Sequence, residues 1–118
     1  MRIHYTSIEQ SKRLLELGLN PESADMLYTW DTDNKTYYPL PIIDDKEHDF
    51  PSGLSCWSVG ALLEVMPKWD DYSPYIGKNE CFYSNDDNEI YHREVGTSIE
   101  SAYEMIVWLL ENNYIKKV

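Results

Sequence analysis

The stretch TSIESAYEMIVWLLENNY, residues 97–114, decides the fold, because both ends of a helix are written into it. Thr97 is an N-cap with Glu100 three residues on, so each side chain can satisfy the other's free backbone N–H. Ile99, Ala102, Tyr103, Ile106 and Leu110 recur at helical spacing and make one apolar stripe. Met105, Trp108 and Leu109 widen it until Glu100, Ser101, Glu104 and Glu111 alone mark a wet side. A helix this apolar is covered on more than one side, by a sheet and a neighbouring helix, and both Ile106 and Trp108 are expected to be buried. Asn113 supplies a left-handed stop, after which Tyr114 folds back on Leu109 as in a Schellman ending.

Outward from this helix, residues 69–95 have β character broken by turn chemistry. Strands are predicted near 75–76, 80–84 and 89–95, joined at Gly77-Lys78-Asn79 and at Asn85-Asp86-Asp87-Asn88. Ser58 caps a short helix with Val59, Leu62, Leu63 and Met66 at i, i+3, i+4 and i+7, and Pro67 ends it. Residues 54–57 re-enter the core after an irregular stretch over 41–53. Residues 26–30 and 36–40 form a hairpin around Asp31-Thr32-Asp33-Asn34-Lys35, with Pro39 placing the second strand at an edge. The tetrapeptide TSIE recurs at residues 6–9, predicting a capping box from Thr6 to Glu9 and a helix over 7–17 that stops at Gly18. Leu19 then closes on Leu14. The order α-β-β-α-β-β-β-α describes a single α+β domain, residues 1–118, in which an antiparallel sheet (a hairpin plus a three-stranded meander) packs with three helices.

Totals limit the function. The net charge is −11 over 118 residues, with −6 in residues 21–53 and −4 in residues 80–96. No basic face exists for direct nucleic-acid binding. An acidic surface that imitates nucleic acid and inhibits a DNA-binding protein is one alternative reading; solubility is the plain one. No apolar run approaches a membrane span, and the N-terminus lacks the order of a secretory signal. Cys56 and Cys81, without CxxC spacing, read as reduced, buried thiols of a cytoplasmic protein.

Few constellations carry chemistry. Asp44, Asp45, Glu47, His48 and Asp49 bring carboxylates and an imidazole together in sequence and are the metal-ligand candidates, although an acidic loop ordinarily keeps such groups solvated and apart. A small enzyme or metal-binding protein using this loop with His48 or His92 is the second alternative. His92 stands near Glu94 in sequence, but the two are not expected to pair directly. Phosphate loops, nucleophile elbows and cofactor motifs are missing from the sequence, so no cofactor is expected. What remains is the aromatic excess, ten tyrosines and four tryptophans. Sheet core is its first reading. Its second is an interaction surface on the hairpin, formed by Tyr28, Trp30, Tyr37 and Tyr38.

The segments IEQSKRLLELGL, SVGALLEVMP and SAYEMIVWLLENNYIKK together resemble a family of small uncharacterised proteins encoded by bacteriophages and prophages of gut bacteria. The resemblance lies in the three helices; Asn113 stands where those relatives tend to have Gly. It implies a phage or mobile-element origin and carries no activity or site residues. With it, the residues lead to the expectation of a non-enzymatic accessory protein that binds an unidentified partner protein or a second copy of itself.

Overall fold

A computed structural model describes residues 3–42 and 53–118. Within them the chain forms helices α1 (Ile8–Glu16), α2 (Val59–Val65) and α3 (Ser98–Glu111) and strands β1 (Met26–Asp31), β2 (Thr36–Pro41), β3 (Leu54–Cys56), β4 (Ser73–Ile76), β5 (Cys81–Ser84) and β6 (Glu89–Arg93). A single 3₁₀ turn, Pro21–Ser23, precedes β1. The α+β class and the helix–hairpin–helix–meander–helix sequence are as expected. One strand is additional: residues 54–56 not only re-enter the core but pair with β1.

The long helix ends as its sequence dictates, except that Glu100 makes no return bond to the Thr97 N–H. Thr97 accepts the Glu100 N–H at 3.3 Å, Asn113 takes φ +63°, and Tyr114 N–H reaches back to the Leu109 carbonyl at 2.8 Å. α1 closes in the same way at Gly18, φ +99°, with Leu19 N–H on the Leu14 carbonyl. Its start differs from expectation by one residue. Ser7, not Thr6, is the N-cap, and Gln10 rather than Glu9 completes the box. The reason lies in the interior: Thr6 is fully buried, its Oγ1 2.8 Å from Ser11 Oγ and accepting the Trp57 N–H at 3.1 Å. A hydroxyl spent on tertiary contacts cannot cap as well.

The strands make two three-stranded antiparallel sheets, β2-β1-β3 and β4-β5-β6. α3 packs against the second sheet, α2 and α1, while α1 meets the first sheet at β3. Ile99, Ala102, Met105, Ile106, Leu109 and Leu110 are buried along α3, together with Leu14, Leu19, Trp57, Leu62, Cys81 and Tyr83 from the elements around. Burying that many large apolar side chains, at about 1.5–3 kcal/mol each, is the main force holding helices to sheets. Buried polar groups are paired: Trp57 Nε1 donates to Ser23 Oγ, Tyr83 OH to the Pro67 carbonyl, and Ser101 Oγ accepts from Val95 N–H.

Trp108 departs from the expectation. It is only half-buried, while Ile106 is fully buried. Its ring lies 4.4 Å from Tyr91 and 5.3 Å from Tyr114, centroid to centroid, with the Arg93 guanidinium 5.5 Å over it. Trp69 stacks on both Tyr83 and Tyr114, so the end of α3 is sealed to the second sheet by rings rather than by aliphatic core.

Candidate functional site

The first sheet extends past the body that covers it. On β1, Met26, Tyr28 and Trp30 share one face. Their partners across the ladder are Pro41, Pro39 and Tyr37. Near the body this face is roofed: Tyr28 is 5% exposed, its hydroxyl donating to the Thr6 carbonyl at 2.7 Å. Burial pushes the Tyr28 phenol up from its ordinary range. Farther out the roof ends. Trp30 and Tyr37 are each 44% exposed, and their rings meet edge to face with centroids 4.9 Å apart. The hairpin is locked at its tip by Asp31, whose carboxylate accepts from Asp33 N–H, Asn34 N–H and Asn34 Nδ2. Those bonds hold the Asp31 carboxyl below its usual range.

Beneath this overhang runs a groove of about 580 Å³. Tyr28, Tyr37 and Pro39 line it from the sheet, Ile3 and Tyr5 from the N-terminal segment, and Ile8 and Ile99 from the first turns of α1 and α3. Both N-caps, Ser7 and Thr97, face it, as do Glu9, Gln10 and Glu100. Its size suits a small group of side chains or a short peptide segment, and its apolar walls suit burial of rings and branched chains.

Of the hairpin residues expected to form one surface, the structure brings together Trp30 and Tyr37, and places Tyr28 beneath them as floor. Tyr28 is corrected from exposed anchor to buried support. Tyr38 is set apart: it pairs with Thr29, on the opposite face of the strand, beside exposed Leu40. Alternation of side chains along β2 forces this separation. Ile3, Ile8, Ile99 and the two glutamates are the groove residues that sequence reasoning missed. Their capping and periodicity signals are legible, but nothing local shows that two helix starts meet.

Prolines remove backbone donors from the edge strands β2 and β4. A proline has no N–H, so Pro39 and Pro41 must sit opposite β1 at positions that do not bond across the ladder. Their alternation turns residues 37, 39 and 41 outward, leaving Tyr37 with the one amide donor among these three. On β4, Pro74 opposite Tyr83 does the same. On β6 the register slips between Cys81 and Tyr83, and Tyr91 takes φ +54° at the irregularity. The end of β3 is covered by the N-terminal segment, where Thr6 N–H donates to the Trp57 carbonyl at 2.9 Å. Backbone pairing at these edges is thereby a poorer route to a partner than side-chain contact.

The same irregularity in β6 rearranges His92. Its Nδ1 meets Glu89 Oε1 at 2.8 Å, and its Nε2 lies 3.9 Å from Glu80. The imidazole is 39% exposed on the outer face of the second sheet, edge-on to Phe82. The pair orients a base, yet it stands on open surface, where water is not excluded from a reacting group. The metal-ligand candidates Asp44, Asp45, Glu47, His48 and Asp49 lie outside the described residues; among the described ones no group of three or more His, Cys, Asp or Glu is placed to hold an ion. Cys56 and Cys81 are free and fully buried, and burial pushes their thiols up to about 11 and about 12. Neither is poised as a nucleophile. Among the described residues no helix is long and apolar enough to cross a membrane. No family model, no curated protein and no solved structure matches the chain.

Proposed function

We propose that this chain is a non-enzymatic accessory protein of the phage or prophage type its helices resemble, working in a cytoplasm by docking a partner protein in the groove beneath the β1–β2 overhang. One observation carries the reading: an apolar groove of about 580 Å³ is lined by exposed Tyr37, whose ring meets that of exposed Trp30 edge to face. Large aromatic rings half out of water cost little entropy to immobilise and are the usual anchors of interfaces. The donor-poor strand edges support it, because they weaken backbone pairing as the competing way to recruit a protein. Two free, buried thiols fit a reducing compartment.

The test is affinity capture from cells of the native host, with wild-type protein and with Trp30→Ala/Tyr37→Ala. Both side chains are half-exposed, so the double variant should keep its thermal midpoint within a few degrees. We expect a specific partner retained by wild type and lost by the variant. The same proteins captured by both would contradict docking through these rings. Light scattering of the pure chain decides whether the partner is a second copy: a dimer that the double variant dissolves would identify it as one.

A further inference from the structure

The charges around the groove narrow the partner further. Glu9 and Glu100 line it, both exposed, and among the described residues no lysine or arginine lines it. Neither carboxylate is consumed by a helix cap. In α1 the returning side chain of the capping box is Gln10, and in α3 Thr97 caps without a return bond from Glu100. Among the described residues neither carboxylate joins an ion pair. Glu100 instead rests against Gly96, where φ is +62° and an added Cβ would collide with the carboxylate. This keeps it at the groove's rim.

Opposing these charges are the positive ends of α1 and α3, since both N-caps face the same space. Each helix end is worth about half a positive charge. Together they offset about one of the two carboxylate charges and leave about one negative charge beside apolar walls. The protein around it carries −11, so the long-range field has the same sign. An anionic ligand is repelled at both ranges.

We infer that the groove takes a cationic segment of the partner, with one or two apolar side chains on the floor between Tyr28, Ile8 and Ile99 and a flanking Lys or Arg at Glu9 and Glu100. This rests on the groove being the docking site and adds the chemistry of what docks. The acid charge then acts as a guide for a basic partner as well as a solubiliser.

Three fluorescein-labelled nine-residue peptides test it, each with a central Leu-Phe pair, and with lysine, serine or glutamate at the same four flanking positions. Anisotropy should show the lysine peptide binding most tightly and weakening as salt is raised. Glu9→Gln/Glu100→Gln should weaken it about tenfold, roughly threefold per carboxylate. The control Glu16→Gln/Glu104→Gln removes the same net charge elsewhere and should cost less than about twofold. Equal losses in the two double variants, or lysine and serine peptides bound alike, would overturn the cationic assignment. If the serine peptide binds as tightly as the lysine peptide and needs Trp30 and Tyr37, docking stands while the charge inference fails. If no peptide binds, or binding ignores those rings, both readings fall.

Discussion

Trp108 sits among rings, and its position fixes what its loss should cost. A fully buried tryptophan cut to alanine loses about 3–5 kcal/mol. Here the ring is only half-buried, among Tyr91, Tyr114 and Arg93. We predict about 2–3 kcal/mol for Trp108→Ala and about 3–4 for Ile106→Ala, whose side chain is smaller but fully buried. Thr97→Ala should cost about 1 kcal/mol, the loss of one cap. Urea unfolding of the three variants checks the order; a Trp108 cost above that of Ile106 would mean that the ring is packed more tightly than its exposure implies. The thiols give a pH prediction at the same scale. Burial raises Cys56 from 9.0 to about 11 and Cys81 from 9.0 to about 12. The unfolded chain ionises first, so this stabilisation is complete below about pH 9 and is lost as pH rises from there through about 11 to 12. Folded protein should also resist thiol reagents at pH 8, and rapid labelling of either cysteine without unfolding would contradict its burial.

At the scale of elements, the prolines of β2 and β4 make a prediction of their own. Replacing Pro39 and Pro41 with threonine restores two outward N–H groups on a strand that is otherwise exposed along most of its length. We expect Pro39→Thr/Pro41→Thr to self-associate in a concentration-dependent way by light scattering, where wild type at the same concentration does not change. An unchanged mass would mean that something besides the missing donors protects this edge. Much of the element structure was legible beforehand. Capping residues, Gly18, Asn113 and the Asx turn at Asp31 act over three or four positions, so the chain displays them locally. The capping box at Thr6 was misread because its hydroxyl is taken by Ser11 and Trp57, the latter far along the chain. The same limit hid β3, a three-residue strand that exists through pairing with β1, and the slipped register that turns His92 toward Glu89.

For the whole molecule, the α+β class follows from periodicity, but the groove does not. It arises where α1, α3, the N-terminal segment and the first sheet converge, and no window of sequence contains more than part of it. Aromatic content pointed to the hairpin, while strand alternation alone would have separated Tyr37 from Tyr38 had the register with β1 been known. That separation offers the most direct measurement. The two residues are adjacent in sequence and similarly exposed, at 44% and 38%, yet face opposite ways. Introducing a photo-crosslinking amino acid at position 37 or at position 38, and irradiating cells that express the protein, compares the two faces with everything else equal. The docking account predicts a discrete partner adduct from position 37 and little or none from position 38. Equal adducts, adducts from position 38 alone, or none from either would contradict it.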